Sequence, residues 1–186
     1  MTKLKRIALF GAALALSTGA SAASFDFTGG STTGATSSDG VITVSFSTPS
    51  GSVTATGGGV GVKDGWANAG ALQDNETLRL DFSVATNIDS LLLTGWEGPD
   101  RLTLTYDGGV VDINDDNNGW SSNETYAINL TGVTFITLKG NSWGTATRLS
   151  GLGGVSATPS EVPVPAAAWL FGTALVGLAG IGRKRG

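Results

Sequence analysis

The residues of this chain that could do chemistry are oxygen donors and aromatic rings. Its 186 residues include no histidine and no cysteine, which excludes zinc sites built on imidazole or thiolate, cysteine nucleophiles, disulfides and any Ser-His-Asp triad. Asp112-Ile-Asn114-Asp-Asp116-Asn-Asn118-Gly119 repeats oxygen donors at alternate positions, as a hard cation such as calcium requires. Asp112, Asn114 and Asp116 are the candidate ligands, and a structural Ca2+ is the cofactor they would take. The stretch departs from an EF-hand loop: its sixth position is Asn117 rather than glycine, its twelfth is Asn123 with Glu124 one residue late, and no helical pattern flanks it. A solvated hairpin loop is the simpler reading, because Asn, Asp and Gly are the usual turn residues.

Two further sets of residues suggest sugar chemistry. Trp66 and Trp120 each follow a glycine in an expected loop. Their faces could stack on sugar rings while Asp and Asn accept hydrogen bonds from hydroxyls; packing in a core would use the same faces, for these and for Trp96 and Trp143. Asp100, Asp107, Asp112 and Glu124 could supply the carboxylate pair of a glycoside hydrolase, which works only at a defined separation. No motif fixes that separation here, and the chain is read as non-enzymatic.

The elements that must position these residues are strands. Residues 76–84 alternate, with Leu78, Leu80, Phe82 and Val84 on one face and Thr77, Arg79, Asp81 and Ser83 on the other. Period two means one face buried and one in water. Similar runs cover 41–47, with Ile42, Val44 and Phe46 inward, and 89–96, 101–106, 110–113, 125–130 and 133–139. Shorter ones cover 25–28, 53–55, 60–63 and 146–149. Asp107-Gly108-Gly109 reads as a hairpin link and Thr131-Gly132 as a tight connection between two strands. The strand pattern fades after Leu152. Many short strands with such turns predict an all-β domain over residues 23–157, an antiparallel β-sandwich of jelly-roll-like form.

The two ends carry address signals. Lys3, Lys5 and Arg6, an apolar run over 7–16, and Ala20-Ser21-Ala22 make residues 1–22 a cleavable secretory signal peptide, cut after Ala22 with Ala23 as the neighbouring choice. At the other end, residues 158–165 form a linker that ends in a proline motif, and residues 166–182 are an uncharged run of 17. As a helix this run would span about 25 Å, near the lower limit for a bilayer core of ~30 Å. Arg183, Lys184 and Arg185 follow it, a stop-transfer cluster that favours a cytoplasmic end. The reading is one C-terminal transmembrane helix with a basic tail at 183–186.

Val162-Pro163-Val164-Pro165-Ala166, then Ala168-Trp169-Leu170-Phe171-Gly172, the glycine-spaced run and Arg-Lys-Arg resemble a PEP-CTERM sorting signal of the VPxPA subtype. The resemblance covers only the tail. It implies a Gram-negative bacterial protein that passes through the export machinery, pauses in the inner membrane, and is cut near Val162, Pro163, Val164, Pro165 and Ala166 by a membrane-embedded exosortase. Within the domain, Gly59-Val60-Gly61-Val62, then residues 74–82 and 88–93, are similar to a pattern in uncharacterised exported PEP-CTERM proteins, and this implies a β-sandwich with no activity attached. In a bacterial protein, the triplets Asn75-Glu-Thr77, Asn123-Glu-Thr125 and Asn129-Leu-Thr131 reflect a chain rich in Asn and Thr, not glycosylation.

Charge narrows the partners. Residues 23–160 carry five basic residues against fourteen acidic ones, a formal charge of −9. Such a surface repels nucleic acid, whose phosphates are bound by Lys and Arg. The expected protein is an exported surface or extracellular-matrix component of the cell envelope or biofilm, with an extracellular polysaccharide as partner. The alternative is a carbohydrate-binding module using exposed Trp and Asp/Asn.

Overall fold

Alternation of apolar and polar side chains becomes strand after strand. The computed structural model describes residues 22–64, 70–73, 75–96, 100–114, 123–141 and 147–158. Within them lie β1 (Ala23–Asp26), β2 (Gly34–Thr36), β3 (Thr43–Ser47), β4 (Ser52–Thr56), β5 (Gly59–Lys63), β6 (Thr77–Thr94), β7 (Arg101–Tyr106), β8 (Gly109–Asn114), β9 (Asn123–Gly140) and β10 (Arg148–Ala157). These described residues are all-β, joined in one ten-stranded sheet whose main path runs β4-β5-β10-β6-β9-β7-β8. Every strand pairing is antiparallel.

Two strands of 18 residues, β6 and β9, organise the sheet. The first half of β6 pairs with β3 through Val44↔Phe82 and Phe46↔Leu80, and its second half pairs with β10 through Leu93↔Leu149 and Thr86↔Ala157. Strand β9 follows β6 along both halves and hands its last residues to β7, as in Leu104↔Leu138. The sheet thereby folds back on itself around a single core. Rings mark the contact between halves: Phe25 on β1 lies 6.3 Å from Phe82 on β6, and Phe27 meets Phe46 edge-on at 5.1 Å. Leu78, Leu80, Leu91, Leu93, Leu104, Ile136 and Leu138 are fully buried there, each contributing about 1.5–3 kcal/mol by leaving water.

Three expectations are corrected. The expected runs 76–84 and 89–96 merge into one strand, Thr77–Thr94, and Val84 is 44% exposed instead of facing the core with Leu80 and Phe82. Burial lapses at Val84, resumes in the same phase at Thr86 and Ile88, and changes phase only before Leu91, where the β6–β9 register shifts between Ile88 and Ser90. Thr131-Gly132 does not reverse the chain. It lies inside β9, where Asn129 (φ 49°) and Gly132 (φ 66°) adopt left-handed backbone and bend the strand. Finally, β10 continues past Leu152 to Ala157. Its buried residues Leu149, Leu152 and Val155 fall three apart because of one bulge between Leu149 and Gly151 and a second irregularity opposite Ala23 to Phe25 of β1, a spacing that period two does not reveal.

The first and last strands lie side by side, with Ala23 opposite Val155. In an antiparallel pair the start of one strand lies beside the end of the other. The chain therefore enters at Ala22 and leaves at Thr158 at the same end of the sheet. Thr158 is fixed there, its amide donating to the Ala85 carbonyl at 2.8 Å and its hydroxyl to Asn87 Oδ1 at 3.1 Å. Among the described residues, no helix is long and apolar enough to cross a membrane; residues 1–21 and 159–186, which carry most of the signal peptide and the sorting tail, lie outside them.

Candidate functional site

At the opposite end of β10 the sheet carries an open cleft of about 500 Å³. Three neighbouring strands build its floor. Leu91 and Leu93 point into the core, so alternation turns Leu92 and Thr94 to the outer face. Strand β9 places Asn123 opposite Thr94 and Thr125 opposite Leu92. From β10 comes Ser150, whose hydroxyl donates to the Leu92 carbonyl at 3.0 Å. Cross-strand partners on one face stand ~5 Å apart, so hydroxyls, an amide and one leucine form a compact patch.

The walls are held from outside the floor. Thr28 donates both its amide (2.9 Å) and its hydroxyl (2.6 Å) to Asp26 Oδ1, a local turn that fixes its place at the cleft. Those hydrogen bonds, the hydroxyl's above all, hold the Asp26 carboxyl below its ordinary range. Gly57 and Gly58, in the turn between β4 and β5, form a rim without side chains. The stem of Arg148 runs beside Gly58, since a Cβ there would stand 3.6 Å from Arg148 Cδ. Glu124, the one ionisable residue of the lining, stands opposite the buried Leu93 and so shares that side of the strand, away from the face that carries Asn123 and Thr125.

The sequence candidates distribute differently. Asp112 and Asn114 lie on the same outward face of β8; Asp112 Oδ1 accepts from the Thr103 hydroxyl at 2.9 Å, and the Asn114 carbonyl accepts from the Tyr126 hydroxyl at 3.2 Å. Asp116, Trp66, Trp120 and Trp143 lie outside the described residues, as do the sorting motif from Val162 to Ala166 and the cluster Arg183, Lys184 and Arg185. Trp96 is fully buried, donates from Nε1 to the Tyr126 hydroxyl at 3.0 Å and meets that ring edge-on. Asp100 is buried and accepts from the Thr147 hydroxyl at 2.8 Å. It precedes β7, whereas Asp107 follows it. About 20 Å of strand separates the two, well beyond the ~5–9.5 Å of a glycosidase pair. Glu124 alone of the four carboxylates lines the cleft.

Two buried or bridging residues escaped the sequence reading. Glu76 accepts from the amides of Asp64 (3.2 Å) and Gln73 (2.7 Å), which flank the segment carrying Trp66. Asn87 bridges the bend, accepting from the Gly132 amide at 2.9 Å. Neither leaves a signal in sequence, because each acts on partners set by the fold. The Asn123-Glu-Thr125 triplet, read in sequence as mere Asn and Thr richness, lies at the cleft, where its Asn and Thr at i and i+2 share a face. Comparison with protein-family models, curated proteins and solved structures finds no match to this chain.

Proposed function

We propose that this is a non-enzymatic, exported surface or extracellular-matrix protein, sorted by an exosortase and associated with exopolysaccharide or biofilm. The observation that carries the reading is the ordered tail: the proline motif Val162 to Ala166, the uncharged run over 166–182, and Arg183, Lys184 and Arg185. The signal peptide starts export, the run pauses the chain in the inner membrane with its basic end in the cytoplasm, and an exosortase releases it near the prolines. The fold supports this order. Both flanking segments join the domain at one end of the sheet, beside Ala23 and Thr158. Ala23 is buried opposite Val155, which favours a signal cut after Ala22 over one that removes Ala23. We read the bent sheet as a jelly-roll-like sandwich.

Exchanging Pro163 and Pro165 for alanine in the native host tests the sorting step. The variant is expected to accumulate in the inner membrane with its tail intact, while the unaltered protein leaves it; equal release of both would sink the exosortase reading. The second reading, a carbohydrate-binding module, is favoured by the hydroxyl-lined cleft, and Trp66 and Trp120 remain its candidate stacking residues. A structural Ca2+ at Asp112, Asn114 and Asp116 would raise the melting temperature over that measured with chelator. Equal temperatures would leave the stretch as a solvated loop.

A further inference from the structure

We propose that the cleft formed by β6, β9 and β10 is a subsite for a neutral saccharide and that it points away from the membrane-side end of the domain. This rests on the reading of the protein as a polysaccharide partner and assigns that partner a place. The cleft's size falls in the range of small-ligand sites, roughly 300–1,000 Å³. Its polar groups are of the kind that match sugar hydroxyls. Thr94 and Thr125 can donate and accept, and the Asn123 amide presents both functions. Leu92, half-buried on the outer face, offers the apolar ground on which the C–H side of a sugar ring rests.

The floor is also pre-formed. It consists of paired strands, the Ser150 hydroxyl is tied to the Leu92 carbonyl, and Thr28 is locked onto Asp26. A ligand does not have to order these groups when it binds. Charge sets the class of sugar. Arg148 stands beside the rim, but the formal charge of −9 over residues 23–160 disfavours uronates and other polyanions.

Orientation follows from register. Ala157 pairs with Thr86 at the end where the chain enters and leaves, whereas Arg148 pairs with Thr94 at the cleft. From Ser150 to Ala157 the strand covers roughly 20 Å. A domain tethered through residue 158 would therefore hold the cleft on its far side, where an external polymer can reach it.

The test uses the exported protein recovered from its host, titrated calorimetrically with neutral gluco- and galacto-oligosaccharides and with polygalacturonate. Thr125 is exposed, so Thr125→Trp, which fills the cleft, should leave the melting temperature unchanged, and Asn123→Ala, which removes the amide, is read on binding alone. Each should weaken neutral-sugar binding about tenfold or more, while Val110→Thr, on β8, leaves it intact. Undiminished binding by a folded Thr125→Trp variant would remove the site from this cleft and leave the polysaccharide reading standing. Binding of polygalacturonate alone would overturn the neutral class. No binding of any sugar by the unaltered protein would overturn both the subsite and the reading beneath it.

Discussion

Asp107 occupies the two-residue turn between β7 and β8 and accepts hydrogen bonds from the amide and hydroxyl of Thr134 on β9, each at 2.9 Å. The bond from the Thr134 amide, chiefly, holds its carboxyl below the ordinary range. A carboxyl with a depressed folded pKa adds stability above its unfolded value of ~3.9 and loses it as pH falls through the folded value. Asp26 and Asp39 shift in the same direction. Asp107→Asn keeps an acceptor but does not titrate, so urea unfolding between pH 2 and 6 should show a lower plateau that converges with the unaltered protein in acid. Inside the core, Tyr126→Phe removes the acceptor of the buried Trp96 indole, and a loss of about 1–3 kcal/mol in the same assay is expected. At this scale the sequence is readable where backbone chemistry is local. The Asp-Gly-Gly turn appears as expected, and Asn75 and Asn129, which look like glycosylation triplets, instead hold left-handed backbone that Asn tolerates better than most residues.

At the scale of elements, the bend through β6 and β9 determines how the sheet closes on its core. Asn87 joins three segments: it accepts from the Gly132 amide and the Thr158 hydroxyl and donates to the Ser156 hydroxyl at 3.4 Å. Asn87→Ala should cost about 1–3 kcal/mol and should speed amide exchange at Gly132 and Thr158 before the rest of the sheet. Gly132→Ala tests the bend itself. A Cβ there has room, its nearest neighbour being Thr158 Oγ1 at 3.8 Å, so the expected loss of about 1–2 kcal/mol comes from left-handed backbone alone. A change below a few tenths of a kcal/mol would mean that the strand straightens without penalty. Most strands were legible as alternating runs, as residues 101–106 show. Their fusion into two strands of 18 residues was not, because bulges preserve strand pairing while resetting the phase of burial. The cleft was legible only in part: Asn123 and Thr125 are close in sequence, but Thr94, Ser150 and Thr28 join them solely through register.

For the whole molecule, the account is one of address and orientation. An acidic all-β domain receives and releases the chain at one end, beside Ala23 and Thr158, and carries its polar cleft at the other. The feature that defines the proposal is the tail that follows the fold. Seven residues, 159–165, would bridge the last fixed residue and the apolar run, at most ~25 Å when extended, so the domain would stay close to the membrane until it is cut. The most direct measurement is the intact mass of the protein recovered from its native host. The account predicts a species that begins at Ala23, ends between Val162 and Ala166, and lacks Arg183, Lys184 and Arg185. A mature species that retains those three basic residues would contradict it and leave a simple membrane anchor.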